Sequence, residues 1–170
     1  MIFCPPPERF TPAENVAWAK WAKAAPPFAA KRQRRTGRRA QGVRYERKVH
    51  EYLSVVFPDS YVSSPWIYFM EREGSRARWC QPDGLIIDLE QGLITIVEVK
   101  YQHTSDAWWQ LEMLYKPVLR AMFPKSLWNI QLVEVVKWYD ASTLFPVRCA
   151  LLESPDEVLK AEVGVHIWKP

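Results

Sequence analysis

With 170 residues, 48% of them hydrophobic, the chain is long enough to bury one real core and lacks the composition of a disordered segment. Cys4, Cys80 and Cys149 are odd in number and far apart, with no CxxC and no Cys/His pairing, which excludes a disulfide framework and a zinc site. The net charge of +4 is uneven: residues 31–48 hold nine Lys/Arg against Glu46 alone, a local +8, while the other fourteen basic and eighteen acidic residues give −4.

Concentrated positive charge of this kind is what phosphate backbones select through counterion release. Nucleic acid is therefore the expected partner, with Arg32, Arg34, Arg35, Arg38, Arg39 and Arg44 as candidate contacts. A solvated arm, or one that binds acidic protein, is the plainer alternative. No run of eighteen apolar residues occurs, and the first ten residues lack the charged start and apolar stretch of a secretory signal. The expectation is a cytoplasmic, intracellular protein with no membrane partner and with reduced thiols, Cys80 being a buried strand cysteine.

In chain order, Thr11-Pro12-Ala13-Glu14 offers an N-cap, an N1 proline and an N3 acid, so a short helix is expected over residues 11–25 and is stopped by Pro26-Pro27. Its Trp18 and Trp21 need something to pack on. Residues 1–38 are thus expected to form an extension with a short helix and a basic arm, and residues 39–170 the main domain.

From Gly42 to Val56, apolar Tyr45, Val49, Tyr52, Leu53 and Val56 recur at helical spacing, with Glu46 on or beside that face. An acid turned toward a core needs a partner; a surface pair with Arg47, Lys48 or His50 is the bland reading. Residues 61–72 suggest a strand around Trp66 to Met70 beside the next hairpin, after which Glu73-Gly74-Ser75 turns into Arg76 to Trp79. Arg78 is a further candidate phosphate contact, though a basic pair on an edge strand is equally ordinary.

Gln81 to Lys100 reads as two apolar strands joined through Glu90-Gln91-Gly92, a three-residue loop whose Gly supplies a positive φ. Pairing Leu89 with Leu93 brings Asp83 nearly opposite Glu98, and sliding by one residue changes this little. Period-two alternation puts Glu98 and Lys100 on one face, with Val97 and Val99 on the other. Two packed carboxylates repel, and a hard cation such as Mg²⁺ or Mn²⁺ relieves the repulsion. An ordinary hairpin with solvated charged ends is the alternative.

Ser105-Asp106 starts a helix whose stripe of Trp108, Leu111, Tyr115, Val118 and Met122 faces a core, with Gln110 flanking it and Pro117 kinking or breaking it. Residues 128–136 alternate as a strand. Residues 147–152 and 165–168 read as further strands around a helix start at Ser154 to Glu157, with no acid/base constellation among them. No Gly-rich phosphate loop is present.

Pro82-Asp83, a gap of fourteen residues, then Glu98-Val99-Lys100 resembles the PD-(D/E)XK nuclease signature. Gly42 to Glu46, a GxxxE, resembles the opening helix common in that superfamily. Gln110 lies at the distance from Lys100 found in RecB-type and phage-type exonucleases and the CRISPR adaptation nucleases. There a Tyr follows four residues later; here Leu114 holds that place and Tyr115 comes fifth.

The resemblance spans about residues 40–140 and implies an α/β fold, a central mixed β-sheet flanked by helices, restriction-endonuclease-like. It further implies a Mg²⁺- or Mn²⁺-dependent deoxyribonuclease that leaves a 5′-phosphate, an exonuclease first. Asp83, Glu98 and the Val99 carbonyl would hold the metal, with Glu46 completing or orienting the site. Lys100 would position or activate the attacking water, giving the catalytic set Glu46, Asp83, Glu98, Lys100 and Gln110. A structure-selective endonuclease of the junction-resolving kind and a non-catalytic nucleic-acid-binding protein on the same fold are the alternatives. DNA is preferred over RNA, and a homo-oligomer or a protein partner stays open.

Overall fold

The expected hairpin lies within a six-stranded sheet in the computed structural model, which describes residues 6–29, 36–72, 74–140, 149–152 and 163–170. Its strands, β5 (Gly84–Asp88) and β6 (Leu93–Gln102), pair antiparallel from Gly84↔Val97 to Asp88↔Leu93. That is one residue from the register read with Leu89 opposite Leu93, and it carries Asp83 directly across from Glu98. The loop is longer than expected, because Asp88 starts it: its Oδ1 accepts the N–H groups of Glu90 and Gln91 at 3.0 and 2.9 Å. Gly92 then closes the turn at φ +59°.

β2 (Tyr61–Ser63) pairs antiparallel with the free edge of β5. On the other side β7 (Asn129–Trp138), β9 (Val163–Ile167) and β8 (Cys149–Leu151) extend the sheet in parallel, giving the order β2-β5-β6-β7-β9-β8. A parallel step needs a crossover. Between β6 and β7 it is helical: α2 (Ser105–Gln110), a π-helical turn (Leu111–Tyr115) and α3 (Lys116–Met122). The helix start expected at Ser154 to Glu157 lies outside the described residues.

Alternation assigns the two faces of the sheet. Val97, Val99 and Val135 pack under Tyr45, Val49 and Leu53 of α1 (Gly37–Val56). Leu85, Ile94, Ile96 and Leu132 face the opposite way, onto Leu111, Tyr115, Val118 and Leu119. The molecule is thus α/β, a mixed sheet with helices on both faces.

Two expectations fail in the first half of the chain. Residues 11–25 do not form a helix: Asn15 turns left-handed at φ 50°, and Trp18–Trp21 become a strand, β1. A helix this short gains too little by itself to resist pairing with a waiting edge. That edge is β3 (Ile67–Met70), in register Trp18↔Met70 to Trp21↔Ile67. Nor is β3 a neighbour of the hairpin. It is the centre of a separate sheet, β1-β3-β4, with β4 (Arg78–Cys80), and Ile67, Phe69 and buried Cys80 fill the core beneath it.

Pro117 accounts for the interrupted helix. It has no N–H for the carbonyl of Met113, four residues back, and its ring crowds that carbonyl. The turn before it widens to a π turn, and Met113 O instead accepts the N–H of Ala13 at 2.8 Å. Residues ahead of β1 are therefore hydrogen-bonded to the crossover helix, and Ala13 is part of its core.

Candidate active site

The antiparallel ladder stops at Gly84↔Val97, and Asp83 takes over where backbone pairing ends: its Oδ2 accepts the Val99 N–H at 2.7 Å. Glu98, directly across, is 2% exposed. Its Oε1 accepts Lys100 Nζ at 2.6 Å, while its buried Oε2 has no hydrogen-bond partner. Lys100, two residues on and on the same face, also donates to Gln110 Oε1 of α2 at 2.7 Å.

The π turn adds a residue that spacing had set aside. Five residues separate Gln110 from Tyr115, too many for neighbours along an α-helix, where the fourth residue returns to the same side. A π turn carries the fifth residue there instead. Gln110 Nε2 lies 3.5 Å from the Tyr115 hydroxyl, which donates to the Gln81 carbonyl at 3.2 Å. A polar chain thus runs from Lys100 through Gln110 and Tyr115 to the residue before Pro82-Asp83.

The electrostatics follow from burial and like charge. Burial pushes the Asp83 carboxyl up, partly countered by the Val99 N–H, and Glu46 raises it further. Glu98 is pushed up to about 8, first by burial and then by Asp83. Burial pulls the Lys100 ammonium down, but Glu98 beside it outweighs this and leaves the pKa raised.

Glu46 comes from α1, on the other side of the sheet end, close enough to act on Asp83. One turn later His50 lies 3.6 Å from the Glu46 carboxylate and 2.5 Å from the Tyr61 hydroxyl. The pair expected as the bland alternative for Glu46 is therefore present, on the same side of α1 as the site. Tyr61 in turn lies against Gly84, whose absent side chain makes room for it: a Cβ there would meet the ring at 2.7 Å.

A third carboxylate went unrecognised in the sequence. Glu134 is the parallel partner of Glu98, so Asp83, Glu98 and Glu134 form a row across β5, β6 and β7. It is 1% exposed and paired with buried His103 at 2.5 Å. The signal was there: a strand reading Leu132, Glu134, Val136 on its buried face places an acid where only a partnered one is tolerated.

Of the basic candidates, Arg38, Arg39 and Arg44 are exposed on α1, and Arg32, Arg34 and Arg35 lie outside the described residues. Arg78 is engaged within the fold. Its guanidinium donates to the carbonyls of Pro12 and Thr11 at 2.8 and 2.7 Å and to Glu71 at 2.6 Å, and it lies over Phe69. It thereby clamps the N-terminal segment, and the expected phosphate contact would fall to a side chain already engaged in the fold.

Among the described residues, no three His, Cys, Asp or Glu side chains gather into a metal cage. The donor set nevertheless fits a hard cation. Mg²⁺ is ordinarily held by one or two carboxylates with water and substrate oxygens, and Asp83 with the unpartnered Oε2 of Glu98 offers two. No helix among the described residues is long and apolar enough to cross a membrane. No family model, no curated protein and no solved structure matches the chain.

Proposed function

We propose that the chain is a divalent-metal-dependent nuclease of the PD-(D/E)XK type, acting on DNA. One observation carries this reading: two carboxylates from facing strand positions converge beside a lysine, and one oxygen of the more buried acid is left without a partner. The order helix with Glu46, strands with Asp83 and Glu98-Val99-Lys100, helix with Gln110, then a parallel strand supports the restriction-endonuclease-like form of the fold.

Asp83 and Glu98 would hold the cation, with Glu46 orienting the site from α1. A bound Mg²⁺ or Mn²⁺ would supply Lewis acidity at the scissile phosphate and offset the charge that develops there. Lys100, which donates to Glu98 and Gln110, would orient or activate the attacking water and neutralise phosphate charge. Gln110 fixes where the ammonium points, since its Oε1 holds a second Nζ proton. Tyr115 holds the Gln110 amide in turn.

The test is incubation with end-labelled linear and covalently closed circular DNA in Mg²⁺, Mn²⁺ or EDTA, beside Glu98→Ala. Metal-dependent loss of substrate that is absent in the variant supports the nuclease. Sparing of the circle makes it an exonuclease, and cutting of the circle or of branched junctions an endonuclease. Salt-sensitive binding with no cleavage of any substrate favours a binding protein on this fold.

A further inference from the structure

The outward face of the small sheet carries aromatic side chains that the fold does not need for its core. Ile67, Phe69 and Cys80 point inward and are buried, so alternation turns Tyr68 and Trp79 out. Lys20, Tyr68 and Trp79 are direct cross-strand partners on β1, β3 and β4, and Trp18 lies two residues before Lys20 on the same side. Tyr68 and Trp79 stack at 5.2 Å, Trp18 meets Tyr68 edge-on at 5.0 Å, and Trp66 meets Trp79 at 6.5 Å. Lys20 is exposed, with its Nζ 5.0 and 5.5 Å from the Tyr68 and Trp18 rings.

We propose that this face binds single-stranded nucleic acid, with unpaired bases stacking on Trp79, Tyr68 and Trp18 and Lys20 meeting the phosphate backbone. Rings in a row with a cation among them suit an unpaired strand, because every base has a π face and the contact requires no particular sequence. A base-paired duplex keeps those faces inside its own stack.

The position of the face is the second argument. β4 runs from Trp79 into Gln81-Pro82-Asp83, and four residues of chain span at most about 14 Å. Trp66 is tied to the same place, since Ser64 donates its N–H to the Asp83 carbonyl and accepts Gln81 Nε2 at its own, both at 2.8 Å. A strand lying on the rings is thus beside the candidate active site. The inference rests on the nucleic-acid reading of that site but not on cleavage.

Binding of fluorescent oligothymidylate and of a blunt hairpin duplex, measured by anisotropy in EDTA, tests it without hydrolysis. The expected result is that Trp79→Ala and Tyr68→Ala each weaken oligothymidylate binding about five- to a hundredfold at unchanged melting temperature. Lys20→Glu, at an exposed position, keeps the test open where a ring substitution disturbs the sheet; it is expected to weaken binding and to lower the salt dependence by about one phosphate contact.

Unchanged oligothymidylate affinity in folded variants overturns the inference, as does wild-type protein that binds only duplex. So does loss of a dimer in Trp79→Ala by sedimentation, which would assign the face to a second copy of the chain. Metal-dependent cleavage alongside any of these leaves the nuclease reading standing, and absence of cleavage alongside the expected result leaves the strand-binding face standing.

Discussion

Gln110 and Tyr115 sit five residues apart and still meet beside Lys100, because the turn between them is a π turn and the proline that follows prevents regular winding. Inserting an Ala between Met113 and Leu114 moves Tyr115 off that side of the helix. Tyr115→Phe is the gentler change, expected to cost about 1 kcal/mol for the lost hydrogen bond to Gln81 and to lower cleavage modestly. A urea titration and single-turnover rates measure both; insertion and Phe variants equal to wild type would show that the alignment is incidental.

Glu98→Gln and Lys100→Met are expected to lower cleavage by roughly 10²–10³-fold, the range for losing one electrostatic stabiliser, with the fold intact. Circular dichroism and rates decide. An unfolded Lys100→Met would place the residue in the scaffold.

Stability should fall as pH rises. The folded-state pKa of Glu98, about 8 against an ordinary 4.5, means the native carboxyl keeps a proton that the unfolded chain has already released in that window. The stability it contributes is complete below about 4.5 and is lost as pH rises through about 8. Asp83 and Glu134 are raised as well and act in the same direction. Urea midpoints between pH 5 and 9 should decline, Glu98→Gln should flatten the decline, and Mg²⁺ should restore part of it, since the cation replaces the proton. A flat wild-type profile would mean that Glu98 is ionised throughout.

Glu134→Ala should cost about 1–3 kcal/mol, because it removes the buried carboxylate with which His103 is paired. The double variant Glu134→Leu with His103→Phe should recover much of that. Denaturant titration reads both, and additive losses would argue against a coupled pair.

Gly92→Ala combines an alanine at φ +59° with a Cβ 2.7 Å from the Leu127 carbonyl, a backbone atom with little freedom to move. The expected cost is about 1–3 kcal/mol. A thermal melt within a degree of wild type would show that the turn and residue 127 shift together.

What the sequence made legible was local. Alternation over residues 85–97 fixed the hairpin within one residue, and that was enough to oppose Asp83 and Glu98. Strand patterns at 128–136 and 165–168 match β7 and β9 to within two residues. What stayed hidden depended on partners far away in sequence. Trp18–Trp21 looks helical until β3 is available to pair with it, and Tyr61–Ser63 is too short to show a period. Glu134, an acid between Leu132 and Val136 on one side of its strand, joins the site only once that strand is placed beside Glu98, with His103 paired to it. Tyr115 was out of phase only for an α-helix.

The bond from Ala13 N–H to the Met113 carbonyl, with the Arg78 clamp on Thr11 and Pro12, makes the segment ahead of β1 a brace for the crossover helix. A shortened version starting at α1 would save no more than an arm by length, yet it would remove a sheet edge and strip the acceptor group behind Pro117 of its donor. Anyone trimming this protein for expression or crystallisation should therefore keep residues 11–21 as part of the folded core, and a protease that cuts near Asn15 should loosen the crossover helix.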